Sequence, residues 1–350
     1  MKKLHGTALQ NVSLMSTVLV GKKKLSERYC LLTFGFPSNP SIKLQPGDHI
    51  NIFPENDSEM VKKVMERLKN LPNNEIVVWA ECEVPPSTLQ KALTSFVDLS
   101  HPLTPDRMID WIQFASDETE KEAISKLCED NQLFQEWRSK KPNILDFFMT
   151  FPSLKIPAAV FVASLPKMMP RAYSIASIDP KFALVGGQNI PVTDILLEIC
   201  EYETGPFLDE TQAKKRKGLA SNFLTQLPIG GRFLSHHHSN AQFKMPNDPN
   251  VPIVMVSSGS GIAPFRAFWQ QRMLKHWPKS SAWLYFGCRD GTENMFAEET
   301  AKIVQRRVAF SRIDKNAKEY VQDLMEKDAA LLHDLCMNQK GQIFICGKVI

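Results

Sequence analysis

The run VPIVMVSSGSGIAPFRAFWQQR, Val251 to Arg272, holds the residues whose types and spacing point most directly to chemistry. An apolar, β-branched stretch (Val251, Ile253, Val254, Met255, Val256) reads as a buried parallel strand. Gly259, Ser260, Gly261, Ile262 and Ala263 follow, and beyond Pro264 the residues Phe265, Phe268, Trp269 and Met273 recur at helical spacing. Strand, glycine turn and helix in that order let the backbone approach a phosphate closely and turn free N–H groups towards it. Taken alone, a bare G-x-G suits a structural turn equally well. The run His236, His237, His238 invites a metal reading. Adjacent histidines point different ways along a strand or loop, however, and no carboxylate or thiol lies nearby in sequence, so no metal is assigned.

The elements that must carry these residues follow from pattern and composition. A chain of 350 residues is long enough for about two or three domains. At 43% hydrophobic and 23% charged it has a globular composition. A net charge of +4 is too small to imply nucleic acid, though it suits an anionic dinucleotide or an acidic partner. Lys22 to Lys24 and Lys214 to Lys217 read as solvated loops. The seven cysteines are scattered with no C-x-x-C pair, which argues against zinc and disulfide frameworks and for a reducing, cytoplasmic setting. No run reaches about 18 apolar residues, so no membrane span is expected, and the first ten residues lack the apolar core of a secretory signal.

Along the chain, Tyr29 to Phe36 reads as a strand, and Leu44 to Asn56 as a strand pair around Gly47-Asp48. Helical faces then take over. Val61, Val64, Leu68 and Leu71 form one, and Leu89, Leu93, Phe96 and Val97 another. Thr104-Pro105, Asp117 to Glu120 and Asn143 mark helix starts. Glu75 to Val84 looks strand-like and has no firm place. Beyond residue 152 the pattern returns to β. Ala158 to Val162 reads as a strand, as does Thr193 to Tyr202, while Gly218 to Leu227 becomes a short helix. From Val251 strands alternate with helices: Trp283 to Gly287, Val308 to Ser311 and Gln342 to Cys346 as strands, Glu298 to Gln305 and Val321 to Leu335 as helices. That alternation implies a doubly wound parallel sheet.

GSGIAPFRAFWQQR resembles the pyrophosphate loop of NADPH-dependent flavin reductases of the ferredoxin-reductase superfamily. RAYSIAS, Arg171 to Ser177, matches the R-x-Y-S-[IM]-[AS]-S flavin motif of the diflavin reductases. The resemblance implies that Arg171 neutralises the FAD pyrophosphate, that Tyr173 stacks on the flavin ring, and that Ser174 lies near the reacting flavin nitrogen. Gly218, Leu219, Ala220 and Ser221 look like the second FAD segment, at a helix start. Cys288 and Arg289 match the family's nicotinamide-side pair. Ser311, Arg312, Lys318, Tyr320 and Gln322 match its S-R-x(n)-K-x-Y-V-Q. Serine, arginine and lysine together suit a 2′-phosphate, where an NAD enzyme tends to carry an acidic residue, so NADPH is expected over NADH.

Within the diflavin reductases, PGDHINIFPEN and the stretches Leu89 to Glu122 and Phe151 to Ser177 look most like the reductase half of the nitric oxide synthases. The implied architecture is α/β plus β barrel. An FAD-binding antiparallel β-barrel (1–57 and 152–245) holds an inserted helical connecting domain (58–151), and a doubly wound parallel α/β NADP-binding domain (246–350) follows. The implied activity is transfer of a hydride from NADPH to FAD, with electrons passing to an FMN domain, Ser174 and Cys288 lining the hydride path. Alternatives are a stand-alone reductase module of the cytochrome or methionine-synthase type and a non-catalytic flavin-binding paralogue. Three departures stand out. No FMN domain, haem domain or calmodulin segment is present. Lys348 follows Cys346-Gly347 where the family has an aspartate. The chain also stops at Ile350, before the family's last helix, strand and terminal aromatic. A C-terminally truncated piece of a larger enzyme is therefore expected, with FMN, haem and calmodulin belonging to missing parts or partners.

Overall fold

The computed structural model describes residues 13–347 apart from 71, 73, 80–83, 179–180, 208–211 and 315–317. The described residues form thirteen strands: β1 (Met15–Lys24), β2 (Tyr29–Gly35), β3 (His49–Ile52), β4 (Arg171–Ser174), β5 (Lys181–Val185), β6 (Gln188–Glu198), β7 (Glu201–Thr204), β8 (Lys214–Lys217), β9 (Arg232–His238), β10 (Ile253–Ser258), β11 (Ala282–Cys288), β12 (Gln305–Phe310) and β13 (Gln342–Cys346). The chain divides into two compact units. One takes residues 53–171 and 200–226, and the other takes 13–52, 172–199 and the chain from 227 onward.

The first unit is mostly helical. Its helices start where short polar side chains can satisfy the orphan N–H groups of a first turn. Asp57 accepts from Glu59 and Met60 at the start of Ser58–Met65, and Thr88 accepts from Lys91 at the start of Leu89–Ser95. Asn143 and Asp146 form a reciprocal capping box for Ile144–Thr150. The helices bury one apolar cluster around Trp111, Phe147, Phe148 and Phe161. The Trp111 ring lies 5.6 Å from that of Phe161 and 6.0 Å from that of Phe147. Asp146 is almost wholly buried, and both its oxygens are taken by the Arg216 guanidinium at 2.5 and 2.6 Å.

The second unit holds two sheets. Seven strands run in the order β4-β3-β9-β1-β2-β6-β5. The ladders of β1 with β2, β1 with β9, β2 with β6, β3 with β9 and β5 with β6 are all antiparallel. Just past β4, Ile175 bridges Ile195 of β6, and Ala176 N–H donates to the Asp194 carbonyl. The sheet thereby returns on itself as a barrel. The other sheet is parallel, in the order β12-β11-β10-β13. Its first strand in the chain, β10, thus has the second on one side and the last on the other. The chain reverses its direction of travel there, and in open α/β sheets ligands bind at such a switch.

Several local expectations give way to tertiary context. Ala158–Ser164 is a helix, not a strand, because Pro157 starts it and its alanines favour it, with Phe161 and Val162 filling the core. Leu44 to Asn56 yields the single strand β3 rather than a pair, since Asp48 ties down the preceding turn. The run through Tyr202 is two strands, β6 and β7. The expected helix Glu298 to Gln305 shrinks to Ala297–Thr300, and that from Val321 divides into Val321–Lys327 and Ala329–His333. Both basic clusters lie on strands rather than loops: Lys22 to Lys24 end β1, and β8 is Lys214–Lys217. In β8, Lys217 and Lys215 pair across from Glu201 and Glu203 of β7. Glu75 to Val84 shows one bridge, Val77 to Ser87, and part of it lies outside the described residues, as do Leu71 and Lys348.

Replacing Asp146 by alanine leaves the Arg216 cation without this carboxylate and removes half of a capping box. A loss of about 3 kcal/mol is expected from breaking one side of a buried pair. A urea unfolding midpoint unchanged in Asp146→Ala would contradict it.

Candidate functional site

The turn after β10 is built by close approach. Gly259 adopts φ +53°, a backbone that L side chains rarely take, and a Cβ there would meet the Tyr29 hydroxyl at 2.7 Å. Gly261 is packed harder. A Cβ on it would sit 2.0 Å from the Cys346 carbonyl oxygen at the end of β13. The turn Gly259–Ile262 runs directly into the helix Ala263–Leu274, with Pro264 in its first turn. Ile262 and Ala263 are buried and anchor the turn. The N–H groups of this start lie at the C-terminal edge of the parallel sheet, between β10 and β13. That cradle fits a dinucleotide pyrophosphate, because a backbone without side chains and the positive end of a helix meet there.

Two neighbouring strand ends are stitched to each other. Ser311 N–H donates to the Cys288 carbonyl at 3.0 Å, and Arg312 N–H to the Arg289 carbonyl at 2.8 Å. Glu319 N–H donates to the Phe310 carbonyl, which returns Lys318 and Tyr320 to the end of β12 beside Ser311. Lys318, Arg312 and Gln322 are exposed, and Tyr320 caps the helix Val321–Lys327 with its backbone N–H on Asp323. Cys288 is buried, and burial pushes its thiol up to about 12. It is a neutral thiol, not a thiolate.

The flavin-motif residues fall on β4 and just beyond. In the first unit, Arg171 donates to the buried Asp98 carboxylate at 3.1 Å and to the Met169 carbonyl, so its fork is aimed by a fixed anion. Tyr173 and Ser174 are half-buried, while Ser177 is fully buried and spends its hydroxyl on Thr193 and on the Asp194 N–H. Gly218 to Ser221 opens the helix Leu219–Gln226, also in the first unit. The Ser221 hydroxyl donates to the Gly218 carbonyl and accepts from Cys200 N–H. Its oxygen is thus engaged by the turn. The first intrahelical bond runs from Asn222 N–H to Gly218, which leaves the N–H groups of Leu219, Ala220 and Ser221 for an anion.

Sequence reasoning missed the charged residues that hold this geometry. Arg266, on the nucleotide-side helix, is buried and donates to the Ala176 carbonyl at 2.8 Å, to Asp194 at 3.0 Å and to Glu299 at 2.7 Å. Asp48 accepts from His237 at 2.8 Å and from Lys244. Burial would raise the Asp48 carboxyl, but the His237 and Lys244 hydrogen bonds prevail and hold it far below the usual carboxylate range. His237 thus has a carboxylate partner that lies 189 positions away. Arg28 sits between Glu198 and Glu293. No local motif announces any of these, because each partner lies at least 33 positions away along the chain.

Comparison with known proteins identifies oxidoreductase domains over both parts of the chain. The family model described as FAD binding domain matches residues 13–223. That described as oxidoreductase NAD-binding domain matches residues 255–350. The nitric oxide synthase of Drosophila melanogaster is 30% identical over 340 residues, covering 89% of this chain and 24% of the relative. That of Anopheles stephensi is 31% identical over 338 residues, 88% of this chain and 26% of the relative. The inducible nitric oxide synthase of Mus musculus is 29% identical over 380 residues, all of this chain and 32% of the relative. The chain spans about a quarter to a third of the length of these relatives.

Two outcomes follow from the geometry. Gly261→Ala forces a methyl group into backbone that cannot yield, so it is expected to lower the melting temperature and abolish NADP+ binding. Gly291→Ala, where a Cβ meets nothing within 4 Å, should leave both unchanged; equal behaviour of the two variants in calorimetry would refute the close-approach account. For Cys288, the folded thiol ionises well above its ordinary value of 9.0. The stability gained from keeping it neutral is therefore present below about pH 9 and lost as the pH climbs towards 12. Alkylation of Cys288 by iodoacetamide at pH 7.5, read by mass spectrometry, should be far slower in the folded than in the unfolded chain.

Proposed function

Because the chain belongs to the FAD binding domain family, we propose that it is the NADPH-oxidising flavoprotein module of a nitric oxide synthase-like reductase. It carries FAD-binding and NAD-binding oxidoreductase domains in one chain. The observation that supports the reading best is the Arg266 connection. The flavin motif (through Ala176) and the helix of the glycine turn (through Arg266) are ends of one buried hydrogen bond. Chemistry at one is thereby fixed in register with binding at the other. When bound, FAD accepts a hydride from NADPH and gives the electrons up singly to an FMN domain.

The chain's own residues bind, orient and shield. Arg171, held by Asp98, and the N–H groups of Leu219 to Ser221, in the segment Gly218 to Ser221, are assigned to the FAD phosphates. Tyr173 covers the ring, and Ser174 offers a hydroxyl near the reacting nitrogen. Gly259 to Ala263 take the NADP pyrophosphate. Ser311, Arg312 and Lys318 take the 2′-phosphate, Tyr320 stacks on the adenine with Gln322 beside it, and Cys288 with Arg289 lines the nicotinamide side. A neutral, buried thiol excludes water there without adding charge. The domains are assigned as 1–57 with 152–245 for FAD, 58–151 for the helical insertion and 246–350 for NADP. The electron acceptor is an FMN domain of a longer parent or a separate protein, with haem and calmodulin-binding segments also belonging to that parent. The cysteine pattern supports a cytoplasmic setting.

Stopped-flow absorbance of the FAD-loaded chain tests this reading. Fast bleaching of the oxidised flavin band by NADPH and slow bleaching by NADH are expected. Arg312→Ala should lower the preference for NADPH by about tenfold, the effect of one charge-assisted hydrogen bond. Bound FAD that NADPH cannot bleach would overturn the reading.

A further inference from the structure

Ser260 is the middle residue of the glycine turn, and its hydroxyl is directed at a carboxylate. It donates to Glu198 Oε2 at 2.9 Å. The other Glu198 oxygen accepts from Arg28 Nη2. Arg28 Nη1 meanwhile donates to both oxygens of Glu293, at 2.9 and 3.1 Å. Two carboxylates thus share the Arg28 cation, and one of them also holds the hydroxyl of a turn shaped to receive an anion.

The two carboxylates are not equivalent. The Glu293 side chain is 8% exposed and belongs to the turn Gly291–Glu293, which Asp290 caps. Both its oxygens accept from the single Arg28 nitrogen Nη1. The Glu198 side chain is 32% exposed and stands on the last residue of β6. It is the more exposed of the two carboxylates, whereas Glu293 is enclosed.

Building on the assignment of residues 259–263 to a pyrophosphate, we infer that Glu198 is a built-in anion. It occupies donors of Arg28 and Ser260 until a dinucleotide pyrophosphate displaces it. With Glu198 in place, the turn is ordered but carries a like charge that opposes the incoming phosphates. Once Glu198 swings out, one Arg28 nitrogen and the Ser260 hydroxyl are released to phosphate oxygens, and Glu293 keeps Arg28 from following. Glu198 therefore sets nucleotide affinity from within the site, favouring release of the dinucleotide as well as opposing its entry.

Isothermal titration of the FAD-loaded full chain with NADP+ and with 2′-AMP, which lacks the pyrophosphate, tests this inference. Glu198→Gln and Glu198→Ala should bind NADP+ roughly fivefold more tightly, in keeping with the modest worth of a partly exposed ion pair. The affinity for 2′-AMP should not change, and FAD content and melting temperature should match the parent. Unchanged or weaker NADP+ binding in both variants would make Glu198 a scaffold and overturn the inference. Equal tightening of NADP+ and 2′-AMP would also overturn it, as a general field effect. If the parent chain itself binds neither nucleotide, the assignment of the turn falls, and the inference with it.

Discussion

The close passage of Gly261 over the Cys346 carbonyl is the constraint on which the nucleotide end of the molecule depends. A Cβ would stand 2.0 Å from that oxygen, so only glycine lets β10 end against β13. The sheet order β12-β11-β10-β13 puts these two strands side by side although 88 positions separate the ends of β10 and β13 nearest the turn, residues 258 and 346. Chain reversal at that point leaves a crevice in which the glycine backbone of the turn packs directly on the end of β13. The helix that starts there contributes its N–H groups to the same space. Binding capacity thus arises from backbone, and the side chains around it adjust charge and register.

Around the flavin motif, charge in the second unit is gathered into sets that are largely buried. Arg266 answers Asp194 and Glu299 and also takes a backbone carbonyl. Asp48 answers His237 and Lys244 while its backbone carbonyl accepts from Ile175 at the end of β4. Each set costs desolvation, and each is offset by several hydrogen bonds, which is the condition under which buried charge is tolerated. Both sets anchor the segment from Arg171 to Ser177, one through Ala176 and one through Ile175. The residues nearest the flavin motif therefore have little freedom, as preorganised catalysis requires. The glycine turn is different, since its charge cluster includes the one-third-exposed Glu198.

Much of this was legible in the sequence where the signal is local. Gln342 to Cys346 emerges as a strand at its expected bounds, Pro105 opens its helix, and Asn143 caps one. The glycine turn and its helix also lie where strand, glycine and helical spacing put them. What failed did so for tertiary reasons. Ala158 to Val162 has the β-branched look of a strand, yet its burial against Trp111 is helical. The hairpin of β5 and β6 turns on Gly186-Gly187, both with positive φ, a local signal of the kind that a two-residue glycine turn gives. Arg28, Glu198 and Arg266 could not be found at all from pattern, because the partners of Arg28 lie 170 and 265 residues away.

The most direct test of the account is amide hydrogen exchange of the FAD-loaded chain with and without saturating NADP+. The account predicts that protection rises at Gly259 to Ala263 and at Ser311 to Arg312, while the helices around Trp111 are unchanged. Protection that appears elsewhere, with the amides of Gly259 to Ala263 exchanging as before, would contradict it.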